Sequence, residues 1–253
     1  MLAILNMKLK PEEEKMKRGQ IINKTSLFQG ALMEFLEADY VNVLHEQGLK
    51  PYTQNVYYEN KQLIWRVVTL NEEAYEGIIL KILQSKRNEI CIQHDESRFI
   101  ILEKTITTKM YDELVKEYFF EDGSRYIKVN FYTPTAFKSE GKNVIYPDVR
   151  KVFNSLMNKF DCFAQQESIK SDEVLEQLVE YTDIIQYNLR SVLFYMEGVK
   201  IPAFRGTATF KVNGPQSMVN LVNLLFRYGE YSGVGMKTAI GMGKINIIEK
   251  ERV

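Results

Sequence analysis

The order in which strand-like and helix-like segments follow one another most constrains the fold, because the same order occurs twice along the 253 residues. The opening segment, "MLAILNMKLK", alternates apolar and polar side chains, which is the period of a strand. A polar segment, "PEEEKMKRGQIINKTS", is predicted to be a loop. It leads into "TSLFQGALMEFLEAD", whose apolar side chains share one helical face and whose start Thr25 or Ser26 can cap. Four segments then predict strand, strand, helix and strand: "PYTQNVYYE", "QLIWRVVTL", "NEEAYEGIILKILQSK" and "NEICIQHDESRFIILEKTITT".

Two short features support this interpretation of the first half. Asn60 and Lys61 separate the second strand from the third, as the turn of a hairpin does. Asn71 precedes a segment with acidic residues in its first turn, and we predict that it caps that helix.

From Arg125 the same order returns. The strand "RYIKVNFYTPTAF" is followed by a helix that begins near Pro147, and two strands are predicted on either side of "VKIPAF". The remaining segments are the helices "SDEVLEQLVEYT" and "GPQSMVNLVNLLFRYGEYSG" and the closing strand "KINIIEKE". Two βαββαβ units predict an α+β protein of two tandem ferredoxin-like domains, the architecture of RNA-recognition modules. The turn-like "FFEDGSR" places the predicted boundary so that the domains are residues 1–122 and 123–253.

The bulk composition excludes several classes of protein. Lys plus Arg and Asp plus Glu both number 33, so any site for a polyanion has to be a local patch. Cys91 and Cys162 form no C-x-x-C pattern, which argues against a disulfide framework or a zinc site and favours a reducing compartment. No apolar run approaches the length of a membrane span, and the N-terminal segment lacks the basic start of a signal peptide. We therefore expect a cytoplasmic protein with no membrane partner.

A glycine-rich, basic loop follows the last long helix. Glycine permits backbone conformations and close approaches that other residues do not, and successive N–H groups in such loops can bind phosphate oxygens. The spacing matches neither the phosphate loop of nucleotide-binding proteins nor the dinucleotide fingerprint. A helix C-cap followed by a tight turn is the structural alternative. We predict that the loop binds RNA through Gly233, Gly235, Lys237, Thr238, Gly241, Gly243 and Lys244.

This loop, "GVGMKTAIGMGKI", resembles the C-terminal glycine-rich motif of the CRISPR-associated repeat-RNA endoribonucleases, the sixth-numbered Cas family. Further likeness lies in "LFQGALMEFL", "LHEQGLKPYT", "YTPTAFKSEGKNVIYPDVRKVFNSL" and "IPAFRGTATFKV", so it covers most of the chain. The resemblance implies tandem ferredoxin-like domains and RNA cleavage without a metal or another cofactor. In that reaction the ribose 2′-hydroxyl attacks the adjacent phosphate, which leaves a 2′,3′-cyclic phosphate and a 5′-hydroxyl end.

The resemblance also selects the candidate catalytic residues. His45 lies in "DYVNVLHEQG", a short helical segment, at the place of the family's usual catalytic histidine, and imidazole suits proton transfer near neutral pH. Lys50 is the candidate cation for the developing phosphorane charge. Where some members have a tyrosine, this chain has Gln29 and Gly30, so Tyr40 is the remaining candidate for a third role.

The other histidine is interpreted differently. His94 is followed by Asp95 and Glu96, whose charges would repel a phosphate, so we expect it to be structural or merely exposed.

The resemblance names CRISPR repeat RNA as the partner, with other Cas effector subunits as further partners, and leaves a homodimer open. Two alternatives to the nuclease remain at this point. One is a repeat-RNA-binding subunit of a CRISPR effector complex that does not cut, and the other is a structural ferredoxin-like subunit whose glycines only form turns.

Overall fold

The computed structural model describes residues 1–13, 18–164, 168–196 and 198–249. The chain divides into two compact units. The first unit comprises Met1–Thr108, Tyr195–Ile201 and Ala239–Gly241, and the second comprises Lys109–Phe194, Pro202–Thr238 and Met242–Val253. The predicted division into two domains, residues 1–122 and 123–253, stays a prediction. No helix in the described part of the chain is both long and apolar enough to span a membrane.

The sheet of the first unit consists of β1 (Leu2–Pro11), β2 (Tyr52–Glu59), β3 (Gln62–Thr69), β4 (Glu89–Ile92) and β5 (Ser97–Lys109). Its strand order is β2-β3-β1-β5-β4. β3 pairs antiparallel with both β1 and β2, and β4 pairs antiparallel with β5. Without β4 this is the order of a βαββαβ sheet, so β4 is an added edge strand.

The helices of the first unit differ in part from the prediction. They are α1 (Arg18–Asn23), α2 (Phe28–Met33), α3 (Ala38–Glu46), α4 (Glu72–Ala74) and α5 (Lys81–Gln84). The segment predicted as a loop contains α1, and the predicted first helix is interrupted, with a 3₁₀ turn at Thr25–Leu27 ahead of α2. Neither predicted cap acts as one. The Thr25 hydroxyl donates to the Ile22 carbonyl over 2.6 Å, and the Ser26 hydroxyl donates to the Tyr195 carbonyl over 3.0 Å.

Other local predictions for the first half are confirmed. Asn60 and Lys61 form the hairpin turn with φ of 48° and 66°, and the Asn71 side chain accepts a hydrogen bond from the Ala74 amide over 2.9 Å. The alternation in β1 is confirmed as well, since Ala3, Leu5, Met7 and Leu9 are all buried. The core that they enter also holds Phe28, Trp65 and Phe99. Between α4 and α5 the backbone forms a π-helical turn, Tyr75–Leu80, which the sequence pattern does not indicate.

The second unit contains the remaining strands, β6 (Tyr126–Thr135), β7 (Phe137–Ser139), β8 (Lys142–Val144), β9 (Thr182–Met196), β10 (Val199–Val212) and β11 (Ile245–Ile248), where the tip between β9 and β10 belongs to the first unit. Its main sheet has the order β11-β6-β10-β9, which is that of a βαββαβ fold, and β7 and β8 form a separate hairpin. "VKIPAF" lies inside β10, so the prediction that it separates two strands is wrong. β10 carries an irregularity between Phe204 and Gly206 where it pairs with β6.

The helices of the second unit are α6 (Tyr111–Tyr118), α7 (Val149–Phe163), α8 (Asp172–Tyr181) and α9 (Gln216–Ser232). α7 begins two residues after Pro147, in agreement with the prediction, and the Asp148 carboxylate caps it by accepting from the Lys151 amide over 2.9 Å. α7 and α9 bury their apolar faces, including Phe153, Leu156 and Phe226, against the sheet residues of the same core.

Candidate active site and nucleic-acid interface

The histidine predicted to be catalytic stands in an open position. His45 occupies the last turn of α3 and is exposed to solvent. It lines a cleft of about 560 Å³ in the first unit, together with Ser26, Gln29, Glu34 and His94. The cleft is large enough to hold a nucleotide-sized ligand. Its hydroxyl, amide and imidazole groups can contact a phosphodiester, whereas the Glu34 carboxylate pairs with Arg87 over 3.3 Å.

The second histidine enters the same cleft. His94 lies in the tight turn between β4 and β5, and it lines the His45 cleft as well as a smaller adjoining cavity of about 290 Å³. Its neighbour Asp95 forms an ion pair with Lys24 over 2.6 Å, and hydrogen bonds from Lys24 and Ser97 outweigh burial and lower the pKa of that carboxyl. The charge that argued against a phosphate near His94 is therefore partly balanced by Lys24.

The two residues that occupy the place of a family tyrosine also line the cleft. The Gln29 amide donates to the Tyr52 hydroxyl over 3.3 Å, which holds its side chain toward β2. Gly30 has nothing within 4 Å of the position that a Cβ would take. Gln29 and Gly30, which stand where some family members have a tyrosine, are therefore part of the cleft wall.

Lys50 acts on the helix that carries His45. Its ammonium group donates to the carbonyl oxygens of Leu44, His45 and Gln47 over 2.5, 3.2 and 2.5 Å. These three acceptors match the three donors of an ammonium group, and a cation at a helix C-terminus is favourable. Lys50 therefore caps α3 and fixes the backbone of His45.

Tyr40 is packed away from the cleft lining. Its ring lies against Gly77 in the π-helical turn, where an added Cβ would come within 2.5 Å of the ring. Its hydroxyl is buried and has no hydrogen-bond partner among the described residues. Burial, with smaller effects of Glu73 and Tyr52, raises the pKa of Tyr40 to about 12. The structure does not bring this hydroxyl together with His45 at the cleft.

The glycine-rich loop, residues 233–244, has a backbone that only glycine can follow at several points. Gly243 has a φ of 72°, and a Cβ there would lie 2.1 Å from the Val234 carbonyl oxygen. The loop is anchored through its own amides. Those amides donate to neighbouring groups of the second unit in the pairs Val234 to Gly243 O, Gly235 to Ser155 Oγ, Met236 to Ala136 O, Gly243 to Pro134 O and Lys244 to Thr133 Oγ1. These amides shape the loop, so phosphate binding at them would require that they exchange partners.

The two lysines of the loop differ in exposure. Lys237 is exposed and has a positive φ of 58°, whereas Lys244 is only 5% exposed and donates to the Asn246 side chain over 2.9 Å. Thr238 and Ile240 belong to a 3₁₀ turn at the tip, and Ile240 lines the His45 cleft. The tip of the loop, through Ile240, therefore forms part of the candidate active site within the first unit.

A cationic cluster on the second unit's sheet was missed by the sequence analysis. Tyr132 points away from the core of β6, with Lys244 4.7 Å and the Arg205 guanidinium 5.8 Å from its ring centroid. Burial and then the like charge of Arg190 lower the pKa of Arg205. Aromatic rings beside cations are the groups on which single-stranded RNA stacks. The sequence shows that side chains alternate along β6, which places Tyr132 on the outer face. It does not show that β10, which carries Arg205, pairs with β6.

Among residues 1–13, 18–164, 168–196 and 198–249, no three His, Cys, Asp or Glu side chains lie together as a metal site would require.

Comparison with known proteins decides the family. A curated protein from Streptococcus thermophilus, "CRISPR-associated endoribonuclease Cas6", is 35% identical over 224 residues, which cover 88% of this chain and 91% of that protein. The chain belongs to the Cas6 family of CRISPR-associated endoribonucleases. A Cas6 from Mycobacterium tuberculosis is 27% identical, with 92% of this chain and 74% of that protein covered. The family's sequence model matches residues 129–245.

Solved Cas6 structures share the fold. A Cas6 product complex superposes with a TM-score of 0.79 at 22% identity, covering 98% of this chain and 99% of that one. Thermus thermophilus Cas6 gives a TM-score of 0.74 at 20% identity, covering 98% of each chain. The prediction of tandem ferredoxin-like domains is confirmed, and so is the prediction of an endoribonuclease over the two non-enzymatic alternatives.

Proposed function

We propose that this Cas6 protein cuts CRISPR precursor transcripts in the cytoplasm, within each repeat, by attack of a ribose 2′-hydroxyl on the adjacent phosphate. The new O–P bond forms as the bond to the 5′-oxygen breaks, which leaves a 2′,3′-cyclic phosphate and a 5′-hydroxyl. Membership of the Cas6 family supports the substrate, since one solved relative is described as a product complex and another as a substrate mimic complex. The observation that carries the mechanism is the exposed His45 in a cleft of about 560 Å³.

The reaction needs two proton transfers, and the cleft offers two imidazoles. One group has to take the proton from the 2′-oxygen, and another has to give a proton to the departing 5′-oxygen. We assign these transfers to His45 and His94, because both line the cleft. Gln29 lies on the same wall and can hold a phosphate oxygen or the 2′-hydroxyl through its amide.

Lys50 and Tyr40 receive roles that differ from the sequence-based proposal. The three donors of Lys50 are directed at the end of α3, so we assign it the positioning of His45 in place of direct contact with the phosphorane. Tyr40, with a pKa of about 12 and a buried hydroxyl, supports the packing of α3 against the π-helical turn.

RNA is held, in this proposal, by further groups that suit a ribose-phosphate chain. Lys237 and Thr238 of the glycine-rich loop supply a charge and a hydroxyl next to Ile240, which lines the cleft. Tyr132, with Arg205 beside its ring, offers a stacking surface for a base.

The test of the mechanism is replacement of His45 by alanine. We expect His45→Ala to bind a repeat RNA as the unchanged protein does and to cut it roughly 10²- to 10⁴-fold more slowly. The measurement is single-turnover cleavage of end-labelled repeat RNA in EDTA, followed by analysis of the new ends. A repeat RNA with a 2′-deoxy sugar before the scissile phosphate is the substrate control and should stay intact. Full-rate cleavage by His45→Ala would remove this residue from the mechanism, and cleavage of the deoxy substrate would indicate an attacking water.

A further inference from the structure

A buried lysine lies directly beneath the glycine-rich loop. Lys159 is in α7, is only 5% exposed, and points its ammonium group at the end of α9 and the start of the loop. Its Nζ lies within hydrogen-bond distance of four oxygens, which are the carbonyls of Ser232, Gly233 and Gly235 at 3.2, 3.1 and 3.4 Å and the Thr238 hydroxyl at 3.4 Å.

The cost of burying this group indicates that it serves more than packing. Among the described residues no carboxylate forms an ion pair with Lys159, and burial lowers its pKa to about 7. An ammonium group moved out of water without a counter-charge destabilises the folded state, and a methionine of the same length would fill the space without that penalty. The carbonyls at the end of α9 offset part of the cost, since a helix C-terminus attracts a cation.

The ammonium group of Lys159 holds the end of α9 and the first half of the glycine-rich loop. Its acceptors span seven residues of chain, from Ser232 at the end of α9 to Thr238 at the start of the 3₁₀ turn at the loop tip. Lys237, the exposed cation of the loop, lies next to Thr238, which Lys159 contacts. Fixing both ends of this segment fixes the direction in which Lys237 is presented.

We propose that Lys159 is a positioning residue for RNA binding, whose ammonium group ties the glycine-rich loop into the conformation that receives the ribose-phosphate chain. The proposal rests on the proposed function, because it assumes that this loop binds repeat RNA. When Lys159 loses its proton, it loses one donor and the positive charge that favours a bound ribose-phosphate chain, so the loop binds RNA more weakly.

The groups that surround Lys159 stay neutral over the relevant pH range. Tyr228 of α9 donates its hydroxyl to the Lys159 carbonyl over 2.9 Å, and Tyr111 of α6 packs against Tyr228. Cys162 is one turn further along α7. Burial raises the pKa of both tyrosines and of the Cys162 thiol above their ordinary values, so none of the three titrates near pH 7.

The experiment measures the affinity of the full chain for an uncleavable repeat RNA with the 2′-deoxy sugar, between pH 6 and pH 8.5. We expect Lys159→Met to weaken binding at pH 6 by about tenfold or more, as loss of hydrogen bonds to a charged group does, while thermal stability is unchanged or higher. The unchanged protein should lose affinity as the pH rises, and Lys159→Met should lose less over the same range. Lys159→Arg keeps the charge at every pH in this range and should bind with a flatter pH profile than the unchanged protein. Lys151→Met, on the same helix, is the matched control and should bind as the unchanged protein does.

The failure of this inference can be told apart from the failure of the proposed function. If the unchanged protein binds repeat RNA and Lys159→Met binds it equally well with the same pH profile, the role of Lys159 is overturned. If the unchanged protein does not bind repeat RNA, the proposed function itself fails. Hydrogen exchange of the loop amides in the unchanged protein gives a measurement that needs no variant. After correction for intrinsic rates, equal protection of residues 233–243 at pH 6.5 and pH 8.5 would also overturn the proposal.

Discussion

Two imidazole groups line one cleft, whereas the sequence analysis predicted a role in proton transfer for only one of them. His45 was selected through the family resemblance, and the structure places it in the last turn of α3. His94 was discounted because two acidic residues follow it, but the fold directs Asp95 to Lys24 and places His94 on the cleft wall. The ion pair between Asp95 and Lys24 reduces the negative charge beside His94, and this contact joins residues that are far apart in the sequence.

We expect His94→Gln to cut repeat RNA about a hundredfold more slowly, because the cleft then keeps a single group for two proton transfers. Its affinity for the uncleavable RNA should be unchanged. The single-turnover rate at saturating protein is the decisive measurement. A variant with the rate of the unchanged protein would show that His94 only lines the cleft.

Lys50 gives a second prediction about single residues. Lys50→Met removes three hydrogen bonds from the end of α3, so we expect roughly 1 kcal/mol of lost stability. A shifted His45 should slow cleavage by roughly tenfold to a hundredfold, as small misplacements of catalytic groups do, with little change in RNA affinity. Urea unfolding and single-turnover cleavage test the two parts, with Lys86→Met as the exposed control. A large loss of affinity with an unchanged cleavage rate would instead indicate direct contact of Lys50 with RNA.

Among the elements, the glycine-rich loop is the one whose shape depends most on residue type. Gly243→Ala places a methyl group 2.1 Å from the Val234 carbonyl and requires an alanine at a φ of 72°. We expect it to destabilise the protein by roughly 1–3 kcal/mol and to weaken RNA binding, because the loop has to move. Calorimetry and a binding titration measure the two effects.

Gly30→Ala is the contrasting substitution. Gly30 lies inside α2 with open space around its Cβ position, so alanine there should stabilise the protein by roughly 0.5–1 kcal/mol. Equal effects of the two substitutions would contradict the assignment of strain to Gly243.

Elements with strong local signals were predictable, and those set by distant contacts were not. The hairpin turn at Asn60 and Lys61 and the cap at Asn71 depend on neighbours a few residues away, and both are confirmed. The π-helical turn Tyr75–Leu80 accommodates the ring of Tyr40, a contact between separate segments that no local pattern carries. The break ahead of α2 has a similar cause, because the Thr25 carbonyl accepts a hydrogen bond from Gln54 of β2 over 3.0 Å.

For the molecule as a whole, stability should depend on pH through Lys159. Its pKa is about 7 in the folded protein and near 10.5 for an ordinary lysine, so between these values the unfolded chain holds a proton that the folded chain has released. Stability therefore rises with pH across this window, by at most about 1.4 kcal/mol per pH unit. Urea unfolding of the unchanged protein and of Lys159→Met from pH 6 to pH 9 measures the difference in slope, which should vanish below pH 6. Parallel curves across the window would show that Lys159 keeps an ordinary pKa.

The same residue marks the limit of sequence-based prediction of the site. The glycine-rich loop could be recognised from composition and spacing, but Lys159 lies 74 positions before Gly233 and looks like any lysine of an amphipathic helix. The balanced charge of the chain likewise concealed the cluster of Arg205 and Lys244 around Tyr132, because strand pairing brings them together. The fold class follows from patterns along the chain and the candidate histidine from the family resemblance, whereas the groups that support them follow from packing.

The irregular pairing of β10 with β6 constrains how this protein can change length. Phe204 lies opposite Thr135 and Gly206 lies opposite Phe131, so β6 contains two extra residues at this point. Because two residues complete one period of a strand, Phe204 and Ala208 stay buried in the same core on either side of the irregularity. A single residue inserted into β6 or deleted from it would turn its buried side chains outward beyond that point. Relatives should therefore lengthen or shorten β6 here in steps of two residues.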